Sequence, residues 1–287
     1  MTSVDILILG AGWTSTFLIP LCEQSGITFA ATTRSGALNT IKFEFQPNSD
    51  DQAPYRALPD AKTVLITFPI TIPGASQRLV KAYLATRSSS NATAFIQLGT
   101  TGIWDKPVVP TENLNVLSTI IDRHSPISQT GRSNAEVELL SLSGSVAQTI
   151  VLNLAGLWAI RYLSLQYSAL NYLQGSLHLL HGEDLARAIL AVHHDFSKAA
   201  GQRWLLTDER VYDWWDLASA WRAASSPPDD APATWVRELM REEGVPVLPR
   251  DSAYLGRVLD SREFWETFGL APVKARGAYQ RAEKKSV

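Results

Sequence analysis

Residues 4–15 read VDILILGAGWTS, and this stretch decides the fold class. The apolar run Val4–Leu9 predicts a buried β-strand, and the apolar segment Thr16–Cys22 beyond the glycines predicts a helix. A strand, a glycine turn and a helix in direct succession are typical of the first unit of a dinucleotide-binding sheet. We therefore expect an α/β protein that holds a pyrophosphate at this turn. An ordinary strand-to-helix turn is the alternative interpretation.

The residues of this turn supply the groups that a pyrophosphate site needs. Gly10 can take a backbone conformation closed to residues with a Cβ atom, and Gly12 lets the backbone approach a phosphate. Trp13, Thr14 and Ser15 lead into the helix, whose first N–H groups are free to bind an anion. Ser15 replaces the third glycine of the usual pattern, and its small side chain still permits close packing of helix and strand. These five residues are the predicted pyrophosphate contacts.

The end of the second predicted strand bears on which dinucleotide binds. Ile27–Thr32 predicts that strand, and Arg34 and Ser35 follow it closely. Folds that prefer NAD place a carboxylate about 20 residues past the glycines, and this chain has none there. A guanidinium can bind a phosphate through two parallel hydrogen bonds. Arg34 and Ser35 therefore favour NADP over NAD, and an ordinary surface arginine is the alternative.

Composition and charge exclude several classes of protein. The formal net charge is −2 over 287 residues, with no basic stripe, so nucleic acid is not an expected partner. Cys22 is the only cysteine, which excludes an internal disulfide and a cysteine-rich zinc site. No leader peptide and no apolar span of about 18 residues is evident. We therefore expect a cytoplasmic protein that is not bound to a membrane.

Strands and helices alternate along the chain. Further strands are predicted at Lys62–Phe68, Thr93–Leu98, Gln148–Leu154 and Gln202–Asp208, and helices at Gln77–Thr86, Arg132–Ser141 and Leu185–His193. This alternation predicts a Rossmann-type, doubly wound parallel sheet with helices on both faces. Ligands of such sheets bind beyond the carboxyl ends of the strands. That rule adds Phe68, Pro69, Leu98, Gly99 and Gly156 to the predicted cofactor site.

The second part of the chain differs in character and predicts a smaller, mostly helical substrate-binding lobe. We expect residues 1–158 and about 179–210 to form the nucleotide domain, and about 159–178 and 211–287 to form the lobe. Five of the nine tryptophans lie beyond residue 210: Trp214, Trp215, Trp221, Trp235 and Trp265. Core packing is the favoured role for each of them, and a substrate pocket is the alternative.

Several motifs in this order resemble the extended and atypical short-chain dehydrogenase/reductase superfamily, the group of NAD-dependent epimerases and dehydratases. The resemblance runs from Val4 to about Tyr279. Its motifs are Gly10–Gly12, Leu98–Trp104, Gly131–Glu136, Asn153–Trp158, Leu180–Ile189 and Gly256–Ser261. The resemblance implies a nicotinamide cofactor and a small-molecule substrate. It also implies that two copies can pair through the helices beside the active site.

The family's usual catalytic pair is missing from this chain. Family members use a tyrosine and a lysine four positions later, which together pass a proton while the nicotinamide passes a hydride. No tyrosine here is followed by lysine at that spacing. By alignment to Ala135 and Glu136, Arg132 takes the lysine position and Ser128 the tyrosine position. Arg132 can bind ribose or phosphate, but its guanidinium stays protonated and cannot serve as a neutral base.

Four residues are candidates for the chemistry. Thr100 and Thr101 lie where the family places a hydroxyl that polarises a substrate oxygen, although a turn residue bonding its own backbone fits equally. His124 can act as a general acid, and a solvated loop histidine is the alternative. Arg132 is the fourth. Glu136 and Glu138 lie two apart on a helix and are predicted to be surface charges, not an acid pair.

Three functions are consistent with the sequence. The first is an NADP(H)-dependent oxidoreductase or epimerase that acts on a small organic substrate with a substitute proton donor. The second is a non-redox isomerase, cyclase or dehydratase on the same scaffold. The third is an NADP(H)-binding sensor or partner-binding protein without turnover.

Overall fold

Seven parallel strands form the central sheet. The computed structural model describes residues 3–87, 93–105, 117–158, 175–220 and 231–275. The strands of the sheet are β1 (Ser3–Leu9), β2 (Phe29–Thr33), β3 (Ile41–Lys42), β4 (Asp60–Ile66), β5 (Ala94–Thr100), β7 (Gln148–Leu154) and β11 (Arg203–Leu206). Their order is β11-β7-β5-β4-β1-β2-β3, and all pairs are parallel. The predicted α/β, doubly wound sheet is confirmed.

Four helices cover the two faces of the sheet: α1 (Ser15–Gln24), α2 (Ala75–Ala85), α3 (Gly131–Ser141) and α4 (Gly182–His194). Successive side chains of a strand point to opposite faces. Ile6 and Ile8 of β1 therefore join one core with α1 and α4, while Leu7 and Leu9 join the other with α2 and α3. Burial on both faces explains why the strands are nearly continuous apolar runs.

The ends of some elements differ from the sequence predictions. The strand predicted to end at Leu98 continues to Thr100, because Gly99 and Thr100 pair with Asn153 and Leu154 of β7. Helix α4 begins at Gly182, and its N-cap is His181, whose Nδ1 accepts a hydrogen bond from the Glu183 N–H. Neither Glu183 nor Asp184 caps the helix. Both acidic residues lie in its first turn.

The connection between β2 and β3 is a loop of residues 34–40, without a crossover helix. Parallel strands usually need a connection of about a dozen residues or more. Here Gly36, Leu38 and Asn39 take positive φ angles of 72°, 55° and 59°, which turn the chain sharply. The Thr33 and Thr40 hydroxyl oxygens lie 2.7 Å apart and close the loop. The carboxyl end of β2 therefore carries a compact exposed loop.

Short elements form the rest of the described chain. They are β6 (Thr119–Ile121), β8 (Gly156–Trp158), β9 (Ser176–Leu177), β10 (Leu179–His181), β12 (Tyr212–Asp213), β13 (Arg257–Leu259), α5 (Trp214–Ala220), α6 (Ala231–Glu242) and α7 (Arg262–Thr267). Pairs β8–β10, β9–β12 and β6–β13 each form a two-stranded sheet. None of the helices in the described ranges is long and apolar enough to cross a membrane.

Most of the late tryptophans serve in the core, as expected. Trp214, Trp215 and Trp265 are buried, whereas Trp235 is 46% exposed. Trp265 packs with the core on one face of the central sheet, and its indole N–H donates to the Thr207 carbonyl. Trp221 lies outside the described residues. The domain boundaries proposed above stay a prediction.

Candidate functional site

The glycine turn between β1 and α1 has the backbone conformation that the sequence predicted. Gly10 has φ +93°, and a Cβ atom there would lie 2.7 Å from Thr67 Oγ1 and 3.2 Å from the Phe68 ring. The Gly10 N–H donates to Thr32 Oγ1 at 3.0 Å, and Thr67 Oγ1 donates to the Gly10 carbonyl at 2.5 Å. The turn is thus held from both neighbouring strands, β2 and β4, and only glycine fits at its first position.

Gly12 differs from Gly10 because it faces open space. A Cβ atom built on Gly12 would meet no atom of the described residues within 4 Å. In the described part of the chain, no hydrogen bond engages the backbone N–H groups of Gly12, Trp13 or Thr14, which precede α1. Unpaired N–H groups at a helix N-terminus attract anions. The turn can therefore accept a phosphate group. Ser15 beside it is buried, and its Oγ has no hydrogen-bond partner among the residues that the structure describes.

Arg34 and Ser35 lie at the carboxyl end of β2, the strand adjacent to β1, and both are exposed. Over residues 3–87 and the other described ranges, no hydrogen bond or ion pair involves the Arg34 side chain. The same loop keeps Gly36 N–H bound to Thr33 Oγ1 at 3.0 Å. An unpaired exposed guanidinium beside the glycine turn is free to bind a phosphate.

The other predicted cofactor residues lie near the carboxyl ends of the strands and differ in how deeply they are buried. Phe68 and Pro69 follow β4, and the Phe68 ring stacks on Phe45 with a centroid separation of 5.6 Å. Leu98 is buried within β5 and belongs to the core, so only its carbonyl faces Arg132. Gly156 begins β8, where its N–H donates to the His178 carbonyl at 3.0 Å.

Gly99 is packed from below by polar groups. A Cβ atom on Gly99 would lie 2.4 Å from Asn153 Nδ2 and 2.6 Å from Glu136 Oε1. Any larger residue would displace this amide and carboxylate. The side chains packed beneath β5 therefore require a glycine at this position.

The two candidate threonines end β5 and enter a short turn. Thr100 Oγ1 accepts a hydrogen bond from the Gly102 N–H at 3.1 Å, so its hydroxyl caps the turn Thr101–Trp104. The Thr100 hydroxyl hydrogen stays available to a ligand. Thr101 is buried, and no hydrogen bond to its hydroxyl is found among the described residues.

Arg132 lies in the first turn of α3, above a buried polar cluster that the sequence analysis did not predict. Its Nη2 donates to the Leu98 carbonyl at 3.2 Å, and its Nε lies 3.8 Å from Glu136 Oε1. Glu136 is 2% exposed, so the prediction that it is a surface charge was wrong. Residues three or four positions apart share one face of a helix. Glu136 therefore lies on the same face of α3 as the buried Leu139 and points toward the sheet. Its sibling Glu138 is half-buried and accepts hydrogen bonds from the backbone of α2.

Two strands complete this cluster. Asn153 of β7 donates from Nδ2 to Glu136 Oε2 at 2.8 Å and to the Thr100 carbonyl at 3.2 Å. Arg203 of β11 lies 3.5 Å from Glu136 Oε2. Burial raises the pKa of the Glu136 carboxyl, although the Asn153 hydrogen bond and both arginines oppose that rise. Burial lowers the pKa of Arg132. The carboxylate thus connects two predicted catalytic residues, Thr100 and Arg132.

His124 and Ser128 are engaged by other groups. His124 is 63% exposed, and its Nε2 lies 2.9 Å from Glu263 Oε2 of α7. Its neighbour Arg123 donates to the Arg203 carbonyl at the first residue of β11. Ser128, at the family's tyrosine position, donates its hydroxyl to the Asp105 carbonyl at 2.9 Å. The structure therefore connects Thr100 to Arg132 through Asn153 and Glu136. It pairs His124 with Glu263 of α7.

Four aromatic rings form a continuous series beside the glycine turn. Trp13 contacts Phe17 with ring centroids 4.8 Å apart, Phe17 contacts His181 at 5.6 Å, and His181 contacts Trp158 at 4.7 Å. Gly182 permits this packing, because a Cβ atom there would lie 2.3 Å from the Phe17 ring. The series links the glycine turn to β8 and β10. Its rings come from three segments that are distant in sequence, so local patterns do not reveal it.

Solved structures share this fold over nearly the whole chain. Gre2 from Candida albicans matches with TM-score 0.62 at 12% identity, covering 94% of this chain and 95% of that one. A short-chain dehydrogenase/reductase superfamily protein from Agrobacterium tumefaciens with bound NAD matches with TM-score 0.60 at 14% identity, covering 94% and 93%. UDP-N-acetylglucosamine 4-epimerase from Bacillus cereus matches with TM-score 0.58 at 11% identity, covering 94% of both.

These matches agree with the resemblance in the sequence motifs. No family model matches the chain, and no curated protein matches it in sequence. The chain has the fold of the short-chain dehydrogenase/reductase superfamily, including its epimerase and dehydratase branch.

Proposed function

We propose that the chain binds NADP(H) at the glycine turn and acts as an oxidoreductase or epimerase on a small organic substrate. The observation that carries this proposal is the open face of Gly12, bordered by unpaired backbone N–H groups. A residue with a Cβ atom would fill the space through which a pyrophosphate approaches. The Agrobacterium protein of the same fold holds NAD, which supports a dinucleotide as the ligand.

The preference for NADP is argued from the end of β2. Arg34 is exposed and lacks a protein partner in the described chain, so its guanidinium is available without breaking an existing interaction. The loop 34–40 contains no Asp or Glu. A carboxylate at this place would repel a 2′-phosphate, so its absence leaves room for NADP. A charged phosphate gains more than a neutral ribose hydroxyl from a guanidinium. These features favour NADP over NAD.

The cofactor, when bound, would supply or accept a hydride; the chain's own residues must bind, orient and handle protons. Thr100 can donate its hydroxyl hydrogen to a substrate oxygen while accepting from the Gly102 N–H. Arg132 can hold ribose or an anionic group, because its side chain is 31% exposed at the start of α3. The absent tyrosine and lysine leave the proton donor to a residue other than the family's usual pair.

A second candidate function is an NADP(H)-binding protein without turnover. The hydroxyls of Thr100 and Ser128 are both engaged with backbone groups, and in the described ranges neither bonds a basic side chain. An activated hydroxyl needs such a base or a lowered pKa. Oxidation of NADPH by a panel of carbonyl substrates separates the two functions, since binding without oxidation favours the second.

Thermal unfolding tests binding directly. We expect NADPH at roughly 100 times its dissociation constant to raise the free energy of unfolding by about 2.7 kcal/mol. NADH at the same concentration should stabilise the protein less. If neither dinucleotide changes the unfolding midpoint, both candidate functions are wrong.

Replacing Arg34 tests the preference for NADP. We expect Arg34→Ala to weaken NADPH binding by roughly tenfold to a hundredfold, because a hydrogen bond to a charged group contributes about 1.5–3 kcal/mol. NADH binding should be almost unchanged, as measured by calorimetric titration. Arg56→Ala, at another exposed arginine, is the matched control and should alter neither affinity. Equal losses for both cofactors would contradict phosphate recognition by Arg34.

A further inference from the structure

Glu136 is connected to two predicted catalytic residues, to Thr100 through Asn153 and to Arg132 directly. Its Oε2 accepts from Asn153 Nδ2, and that same amide donates to the Thr100 carbonyl. On its other side, Oε1 faces the Arg132 Nε at 3.8 Å. The carboxylate therefore sets the Thr100 backbone through Asn153 and the Arg132 guanidinium through charge.

Three buried oxygen atoms in this region lack a donor. Within the described residues, Glu136 Oε1, Asn153 Oδ1 and Gln97 Oε1 have no hydrogen-bond partner. The 3.8 Å separation between Arg132 and Oε1 is longer than a hydrogen bond. Gln97, Arg132 and Glu136 border one narrow gap between α2, α3 and β5. A proton on Glu136 would add one hydrogen-bond donor to this buried region.

The charged groups that face Glu136 come from two elements. Arg132 lies on its own helix α3, and Arg203 lies on β11. The strands β5 and β7 contribute the uncharged Thr100 backbone and Asn153. Burial raises the pKa of the carboxyl, and the two arginines lower it. Removing either cation from the vicinity would therefore favour protonation.

Of the two arginines that face Glu136, Arg132 is the one that can move away from the carboxylate. Its side chain is 31% exposed, whereas the Arg203 side chain is 13% exposed. Its one hydrogen bond in the described structure is to the Leu98 carbonyl, at 3.2 Å. A ribose or an anionic group in the cleft would compete for the same guanidinium that now faces Glu136.

We propose that Glu136 is a positioning residue that orients Arg132 and the Thr100 backbone, and that it takes up a proton when a dinucleotide draws Arg132 toward the cleft. This inference rests on the proposed function, because it needs a dinucleotide in the cleft. It adds a titrating carboxyl at a place where the family's usual proton-handling pair is absent.

The test compares NADH affinity at pH 6, 7 and 8 in the wild-type protein and in Glu136→Gln. NADH is the probe because the 2′-phosphate of NADPH itself titrates near pH 6, as phosphate monoesters do. Proton uptake on binding means that affinity falls as pH rises, by at most tenfold per pH unit for one proton. We expect a fall of roughly threefold to tenfold per unit in the wild-type protein, and a smaller dependence in Glu136→Gln.

Glu138→Gln is the matched control, since it makes the same change two residues further along α3, where the carboxylate binds the α2 backbone. It should keep the wild-type pH dependence even if it lowers stability. Equal pH dependence in wild-type and Glu136→Gln proteins would overturn the inference.

A measurement on the wild-type protein keeps the inference testable if Glu136→Gln does not fold. Calorimetric titration of NADH in two buffers of different ionisation enthalpy counts the protons taken up. Uptake of a substantial fraction of one proton supports the inference, and no uptake overturns it while leaving the proposed function intact. If neither NADH nor NADPH binds at all, the proposed function fails and this inference fails with it.

Discussion

Gly12→Ala is expected to abolish dinucleotide binding while leaving the stability of the fold unchanged. The added methyl group would meet no atom of the described residues within 4 Å, and the backbone of Gly12 does not have a positive φ angle. In the proposed function, the same methyl group would occupy the space in which a pyrophosphate contacts the backbone. We expect NADPH affinity to fall by roughly a hundredfold or more, equivalent to about 2.7 kcal/mol. Titration calorimetry and thermal unfolding of the variant measure the two quantities.

Gly10→Ala provides the contrast to this variant. Its Cβ atom would lie 2.7 Å from Thr67 Oγ1 at a backbone φ of +93°, so the fold itself should lose stability. Strain in such a conformation costs about 1–3 kcal/mol before any clash is counted. If Gly12→Ala binds NADPH as tightly as the wild-type protein, the glycine turn is not the pyrophosphate site.

Asp213→Ala is expected to cause a large loss of stability, about 3–5 kcal/mol, because it leaves a mostly buried arginine without its partner. The Asp213 side chain is fully buried, and its Oδ1 lies 2.6 Å from Arg250 Nη2. It also accepts hydrogen bonds from the backbone N–H groups of Trp215 and Arg250. The Arg250 guanidinium lies 3.8 Å from the centre of the Trp215 ring, so the pair fixes α5 against the segment before β13.

Urea denaturation measures this loss against an exposed pair. Asp260→Ala removes the same type of ion pair from Arg262, whose side chain is 70% exposed. Exposed pairs contribute about 1 kcal/mol or less, so this variant should remain close to wild-type stability. Similar small losses in both variants would show that the Asp213–Arg250 pair does not hold this region together.

The fold could be predicted because its signals are local. Strands such as β1 and β7 are apolar runs whose neighbours are glycines or polar turns, and Gln148–Leu154 was predicted with its observed bounds. Errors of a few residues arose where tertiary pairing extends an element, as at Thr100, which pairs with Leu154 across the sheet. The loop 34–40 was not predicted in its closed form, because a positive φ angle at a leucine such as Leu38 has no sequence signature.

The candidate site was harder to predict because its contacts join distant segments. Glu136 is buried only because Asn153, Gly99 and Arg203 surround it, and none of these lies within ten residues of it in sequence. Its position one turn before the apolar Leu139 was a usable signal. The partner of His124 is Glu263, 139 residues further along the chain, so no local pattern could have indicated it.

The loop between β2 and β3 is structurally independent of the two hydrophobic cores of the sheet. Residues 34–40 contribute no side chain to either face of the sheet's core, and the Thr33–Thr40 contact closes the loop on itself. Exchanging residues 34–40 as a unit should therefore leave the packing of the surrounding strands and helices unchanged. Under the proposed role of Arg34, we expect substitutions within this loop alone to change the preference between NADPH and NADH.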